Sequence, residues 1–285
     1  MRYPVIAEHA HEFGVEHMCQ VLGVGRSGYY AWKHRTPSQR AQANQALVVR
    51  IREEYQASRK TYGSPRIHAI LRGKQVCGRH RIARLMRQDG LCARLRHKAH
   101  PMTTQQQPGV VPAPNWLSQD FSTQAPNQKW VSDFTYIETG EGWLYLAVVL
   151  DLFSRKVIGW SMRQSMDTVL VETALRMALL SRQPPAGWLH HSDQGSQYTS
   201  AAYLDCLNGT LAKISMSRTG NCYDNAVAES FFSTLKTECV PGPFLTHTQA
   251  RTTLFEYMEV WYNRHRIHST LGYHSPVDFE QQFSL

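Results

Sequence analysis

From about Leu47 onward the apolar residues recur at spacings that switch from helical to strand-like. Leu47, Val48, Ile51 and Tyr55 form a stripe at steps of three and four, which predicts a helix. The string "YGSPRIHAIL" starts a second helix, with Ser64 as its cap and Pro65 in the first turn. In "GRHRIARLMRQDG" a third helix turns Ile82, Leu85 and Met86 inward and Arg79, Arg81, Arg84 and Arg87 largely outward, stopping at Gly90. Upstream, about Val15 to Arg35, two short helical patterns flank Gly23 and Gly25. That is the shape of a helix-turn-helix and equally that of a packing hairpin.

The pattern changes after Lys98. From Ala99 to Gln128 the chain holds Pro101, Pro108, Pro112, Pro114 and Pro126, enough to discourage helix and sheet, and reads as a flexible tether. Three strand-like runs follow closely, "KWVSDFTYI", "WLYLAVVLDLF" and "RKVIGWSM", as in an antiparallel meander. Helix and strand then alternate. A helix capped by Asp167 runs through Leu180, a strand spans Trp188 to Ser192, and a short helix lies near Ala201 to Leu207. A strand at Lys213 to Ser217 precedes a helix with Ala228, Phe231, Phe232 and Leu235 inward. A final helix carries Leu254, Tyr257, Met258 and Trp261 on its packed side. The expected organisation is a helical unit at 1–40, a basic helix-turn-helix at 41–98, a proline-rich linker at 99–127, and a mixed-sheet α/β domain at 128–285.

Charge sharpens this division. Of the formal +9, residues 50–98 contribute +11, from 14 Lys and Arg against 3 acids, leaving −2 for the rest. A cationic module tied to one segment favours a polyanion partner, and the arginine-studded third helix suits phosphates and guanine edges. No run approaches the roughly 20 apolar residues of a membrane span, and the N-terminal stretch has no signal-like apolar core. The 6 cysteines are scattered without C-x-x-C spacing and read as reduced thiols of a cytosolic protein. His9, His11, His17 and Cys19 fit no zinc-finger spacing.

Three acids stand out. Asp133 sits within the first strand-like run, Asp193 where an apolar strand gives way to the loop "SDQGSQ", and Glu229 one turn into the helix after "SRTGNCYDNA". Asn225, Glu229, Ser233 and Lys236 share that helix's outward face. On the helix alone a solvated ion pair explains them; with the two aspartates, the set offers the oxygen ligands a hard divalent cation takes. Asp151 is the strongest rival for the first ligand, although its place suggests a strand end, and Asp224 or Asn225 reads as the cap of the Glu229 helix. His190, His191 and Gln197 could orient the site.

Asp133, Asp193, then 35 residues, then Glu229 and a basic Lys236 two turns later match the signature of the integrase superfamily. With "WVSDFTYI", "LDLFSRKVIGW", "HHSDQGSQYTS", "DNAVAESFFSTLKTE" and "YNRHRIHSTLGYHSP", the chain resembles the second-frame (OrfB) transposases of bacterial insertion elements. That resemblance covers nearly the whole chain. It implies a ribonuclease H-like catalytic core over 128–285. It also implies Asp133, Asp193 and Glu229 as catalytic acids holding two Mg²⁺ or Mn²⁺ ions, one to activate the attacking oxygen and one to support the leaving oxygen. Water would first expose a 3′-hydroxyl at the element's end, which would then attack another phosphodiester. Lys236 and Asn225, with Arg79, Arg81, Arg84 and Arg87, are the expected DNA contacts, and Arg264, His265, Arg266 and His268 a phosphate-contacting tail. Implied partners are duplex DNA at terminal repeats and target, further copies of the chain on DNA, and a first-frame protein, in a cytoplasmic, nucleoid-associated setting. A hydrolytic nuclease and a non-catalytic DNA-binding remnant are the rival readings.

Overall fold

The computed structural model describes residues 2–73, 77–94, 112–217 and 222–283. Three short helices come first: α1 (Arg2–Glu8), α2 (Val15–Val21) and α3 (Arg26–Lys33), around Ile6, Cys19 and Tyr29. Helix α1 is absent from the expectation because its "RYPVIAE" has one buried residue, Ile6, and so no apolar stripe. A second helical group, α4 (Gln39–Ala57), α5 (Ser64–Arg72) and α6 (Arg79–Gln88), packs Leu47, Ile51, Tyr55, Ile67, Leu71, Ile82, Leu85 and Met86 together. Gly63 rather than Ser64 takes the N-cap position of α5, and Gly90 adopts the left-handed φ of 68° just past α6.

The remaining chain builds one five-stranded sheet: β1 (Lys129–Thr139), β2 (Gly142–Asp151), β3 (Val157–Arg163), β4 (Leu189–Ser192) and β5 (Lys213–Met216), in the order β3-β2-β1-β4-β5. The first three form the antiparallel meander, and β4 and β5 add in parallel through helical crossovers. This is the mixed α/β architecture that the element pattern implies, preceded by an all-α region. One sheet face is covered by α7 (Thr168–Arg182), capped by Asp167, and α8 (Ala201–Asn208). Gly159 on β3 lets α7 sit close, since a Cβ there would come within 2.2 Å of the Ala174 carbonyl oxygen. The other face is covered by α9 (Ala226–Cys239), α10 (His247–Phe255) and a π-helical continuation, Glu256–Tyr262, which buries Tyr257, Met258 and Tyr262. Helix α11 (Pro276–Gln281) is tied back by Glu280, which pairs with Lys156 and Arg182.

Two expectations are corrected here. The end of the proline-rich stretch is not a free tether: Leu117 is fully buried in the α9-side core, and the Trp116 and Leu117 amides both donate to Ser215 Oγ. The earlier part of that stretch, 95–111, lies outside the described residues. Likewise the α4–α6 group rests directly on the sheet domain. Tyr62 packs on Trp261 at 6.1 Å between ring centroids, its hydroxyl accepts from the Ile267 amide, and Arg59 pairs with Glu256 at 3.0 Å.

Candidate active site

Strand pairing puts the first two acids side by side. The β1–β4 ladder ends at Val131 opposite His191, and Asp133 and Asp193 each lie two residues further along. Residues two apart on a strand share a face, and paired strands lie about 4.8 Å apart, so both carboxylates emerge together on the face that α9 covers. The apolar run of β1 and the fully buried β4 hold them rigidly from behind.

Local turns fix their orientation. The Phe134 amide donates to Asp133 Oδ1 at 2.8 Å, and the Gly195 amide to Asp193 Oδ1 at 2.9 Å. A Cβ at Gly195 would lie 3.0 and 3.2 Å from Asp193 Oδ1 and Gln197 Oε1, so a side chain there would press on the aspartate that the loop orients. Glu229 enters from the first turn of α9 and is exposed.

Electrostatics ties the three together. Asp133 keeps some accessible surface, yet crowding by protein atoms is the main force raising its pKa well above the carboxylate range. The Asp193 charge and, more weakly, the Glu229 charge push it the same way, against the Phe134 amide. A desolvated carboxylate that feels two neighbouring negative charges is a setting in which a cation is strongly favoured. The donor set, carboxylate oxygen only, fits a hard divalent ion. As the side chains stand, no three His, Cys, Asp or Glu groups among the described residues are close enough to enclose one.

Around the acids the expected residues fall differently. Lys236 is half-buried with Nζ 4.6 Å from the Tyr136 ring centroid, and burial lowers its pKa. Tyr136, three residues after Asp133 on β1, carries the ring that Lys236 lies over, a contact its apolar strand context conceals. His190 is a core group: Nε2 lies 2.9 Å from Ser132 Oγ and 3.1 Å from the Tyr203 hydroxyl, and burial drops its pKa to about 3. His191 Nδ1 faces Ser215 Oγ at 2.9 Å. Since that hydroxyl already accepts from two amides, it donates to Nδ1 and leaves the His191 proton on Nε2.

Several assignments are corrected. Asn225, expected outward for DNA, is buried at the N-cap position of α9 and makes no side-chain cap bond there. Asp224 is no cap either; it is buried and accepts from Asn115 Nδ2 at 2.7 Å. Asp151 ends β2, as its place in the sequence suggests, three residues from the register of Asp133, opposite Trp130, and accepts from the Asn127 and Phe153 amides. Arg266 and His268 are buried rather than phosphate-facing. Arg266 pairs with Glu238 of α9 at 2.9 Å, and only Arg264 and His265 of that tail are exposed. On α6, Arg79, Arg84 and Arg87 are exposed, whereas Arg81 is half-buried and donates from Nε to Asn44 Oδ1 at 2.9 Å.

Comparisons with known proteins follow the same division. Residues 123–222 and 229–283 match two families each described as "Integrase core domain", and residues 42–99 match "HTH-like domain". The transposase InsF for insertion sequence IS3A of Escherichia coli (strain K12) is 43% identical over 286 residues, covering 99% of each chain. The insertion element IS600 uncharacterized 31 kDa protein of Shigella sonnei is 43% identical over 268 residues, 93% of this chain and 98% of that one. Among solved structures, the HTLV-2 integrase catalytic core domain in complex with magnesium is 16% identical. It covers 56% of this chain and 99% of that chain, with a TM-score of 0.40. With end-to-end identity to InsF, an integrase core and an HTH-like domain, the chain belongs to the insertion-sequence transposases of the InsF kind, enzymes of the polynucleotidyl transferase class.

Proposed function

We propose that this transposase cuts the ends of its element and joins the freed 3′-hydroxyl to target DNA, with Asp133, Asp193 and Glu229 as its catalytic acids. The observation that carries the reading is the placement of Asp133 and Asp193 two residues past the same parallel pair, with the charges of Asp193 and Glu229 both acting on Asp133.

Asp133, Asp193 and Glu229 would hold two Mg²⁺ or Mn²⁺ ions, which when bound supply neutralising charge at the phosphodiester as it reacts. The chain's own contribution is alignment. Strands β1 and β4 fix the two aspartates, and α9 brings Glu229 from a helix locked at its far end by the buried Glu238–Arg266 pair. Lys236, steered by the Tyr136 ring, places a cation for a phosphate beside the reacting bond. The exposed arginines of α6 supply contacts to duplex DNA. Further copies on DNA and a first-frame partner complete the proposed assembly.

The test incubates the protein, with and without a first-frame partner, with labelled element-end DNA and Mg²⁺ or Mn²⁺. Joined products that vanish in Asp193→Asn, a drop of at least a thousandfold, are expected. Hydrolysis without joining, in every mixture, overturns the strand-transfer half and leaves a nuclease.

A further inference from the structure

We propose that residues 2–35, outside the HTH-like match at 42–99, form a second DNA-reading unit, with α3 entering the major groove of duplex DNA. The first support is geometric. Helix α2 ends at Val21, α3 begins at Arg26, and the intervening Gly23 takes the left-handed φ of 62° that a tight helix–helix turn demands. The Val24 amide closes the turn onto the Cys19 carbonyl. Helix α1 braces the pair. Gly28 of α3 passes so close to α1 that a Cβ there would lie 2.4 Å from the Tyr3 hydroxyl, and Ile6, Cys19 and Tyr29 fill the centre. Three helices with a four-residue turn before the last is the helix-turn-helix arrangement.

The second support is charge. Between Glu16 and Glu53 the chain has no Asp or Glu, while Arg26, Lys33 and Arg35 fall in or just after α3 and Arg40 in the first turn of α4. Helix α3 buries Tyr29 and turns Arg26, Ser27, Tyr30, Ala31 and His34 to one side, all exposed, with Lys33 beside them. The Tyr30 and His34 rings stack 13° from parallel on that side. Arg26 meets Glu16 of α2 at 3.3 Å, an exposed pair that phosphate can replace. An outward helix face of cations, hydroxyls and a flat aromatic pair complements a polyanion, and a protein partner of ordinary composition has no such demand.

The third support is spacing. Residues 34–38, all exposed, are the whole connection between α3 and α4. Five residues reach roughly 17 Å when extended, about half a turn of B-form DNA. Both units can therefore sit on one stretch of duplex.

The test uses the full chain and needs no catalysis, so it can fail while strand joining stands. Hydroxyl-radical footprints and salt-dependent affinities are measured on an element-end duplex for wild type, for Arg26→Ala/Tyr30→Ala/Lys33→Ala, and for Arg84→Ala. Expected for the triple variant is a loss of at least tenfold in affinity and a salt slope lower by about two. It should also lose a block of protected nucleotides distinct from the block lost in Arg84→Ala. If the triple variant melts early, Arg26→Gln carries the same measurement, with a slope lower by about one. An unchanged footprint and slope overturns the proposal, including the outcome in which α3 variants lose association with a first-frame protein instead. Loss of the same nucleotides as Arg84→Ala overturns it equally.

Discussion

Asp133 is a half-buried acid and Asp151 a buried one on adjacent strands, and their neighbours give them different work. Asp151 accepts two backbone amides at the β2 end, yet burial still pushes its pKa up to about 6. In the unfolded chain it titrates near 3.9. The folded state therefore holds this proton more tightly. Its contribution to stability is full below about pH 4 and is lost as pH rises through about 6. Asp151→Asn removes that dependence. Urea midpoints at pH 4 and pH 7 should show wild type losing up to about 3 kcal/mol relative to the variant between the two. A constant difference between the chains would remove burial as the cause. Taken one at a time, Asp133, Asp151 and Asp193 are all acids at strand-like runs, and only the family resemblance picks out Asp133 and Asp193. What separates them is the parallel register of β1 with β4, which no local spacing reveals. For the same reason the burial of Arg266 is invisible locally, because its partner Glu238 lies 28 residues earlier on another helix.

Helices and strands with a continuous apolar stripe or run are the legible elements: α4, α6, α7, β1, β2 and α9 follow directly from their buried positions. Helix α1 and the π-helical turn after α10 are not, since one carries a single buried residue and the other changes hydrogen-bonding period inside an ordinary helical pattern. On α6 the sequence treats four arginines as equivalent outward residues, and packing divides them. Arg84 is exposed, while Arg81 bonds Asn44 of α4. Arg84→Ala should therefore lower the salt slope of DNA binding by about one, with an unchanged denaturation midpoint. Arg81→Ala should cost about 1 kcal/mol of stability and alter the slope less. Equal slopes for both variants and wild type would remove α6 from the DNA interface.

Across the whole molecule, the helical group α4–α6 is braced against the domain that carries the acids. Arg59 lies over the Tyr257 and Trp261 rings, Tyr62 packs on Trp261, and Glu238 of α9 receives Tyr257 and Arg266 from the same layer. Burial and, after it, the like charge of Arg266 lower the pKa of Arg66 in the same layer. The DNA-binding group and the Glu229 helix thus share one layer of side chains. Trp261→Ala should speed hydrogen exchange of the Ile267 amide, which donates to the Tyr62 hydroxyl, at least tenfold while the sheet amides stay protected. Unchanged exchange at Ile267 would show that this ring does not hold the two parts together.

Whether Asp133, Asp193 and Glu229 serve one divalent-ion site is read from Mn²⁺ binding followed by electron paramagnetic resonance. Wild type on element-end DNA should bind Mn²⁺, and Asp133→Asn, Asp193→Asn and Glu229→Gln should each weaken that binding at least tenfold. Equal Mn²⁺ binding by wild type and all three variants would mean that these acids hold no common ion.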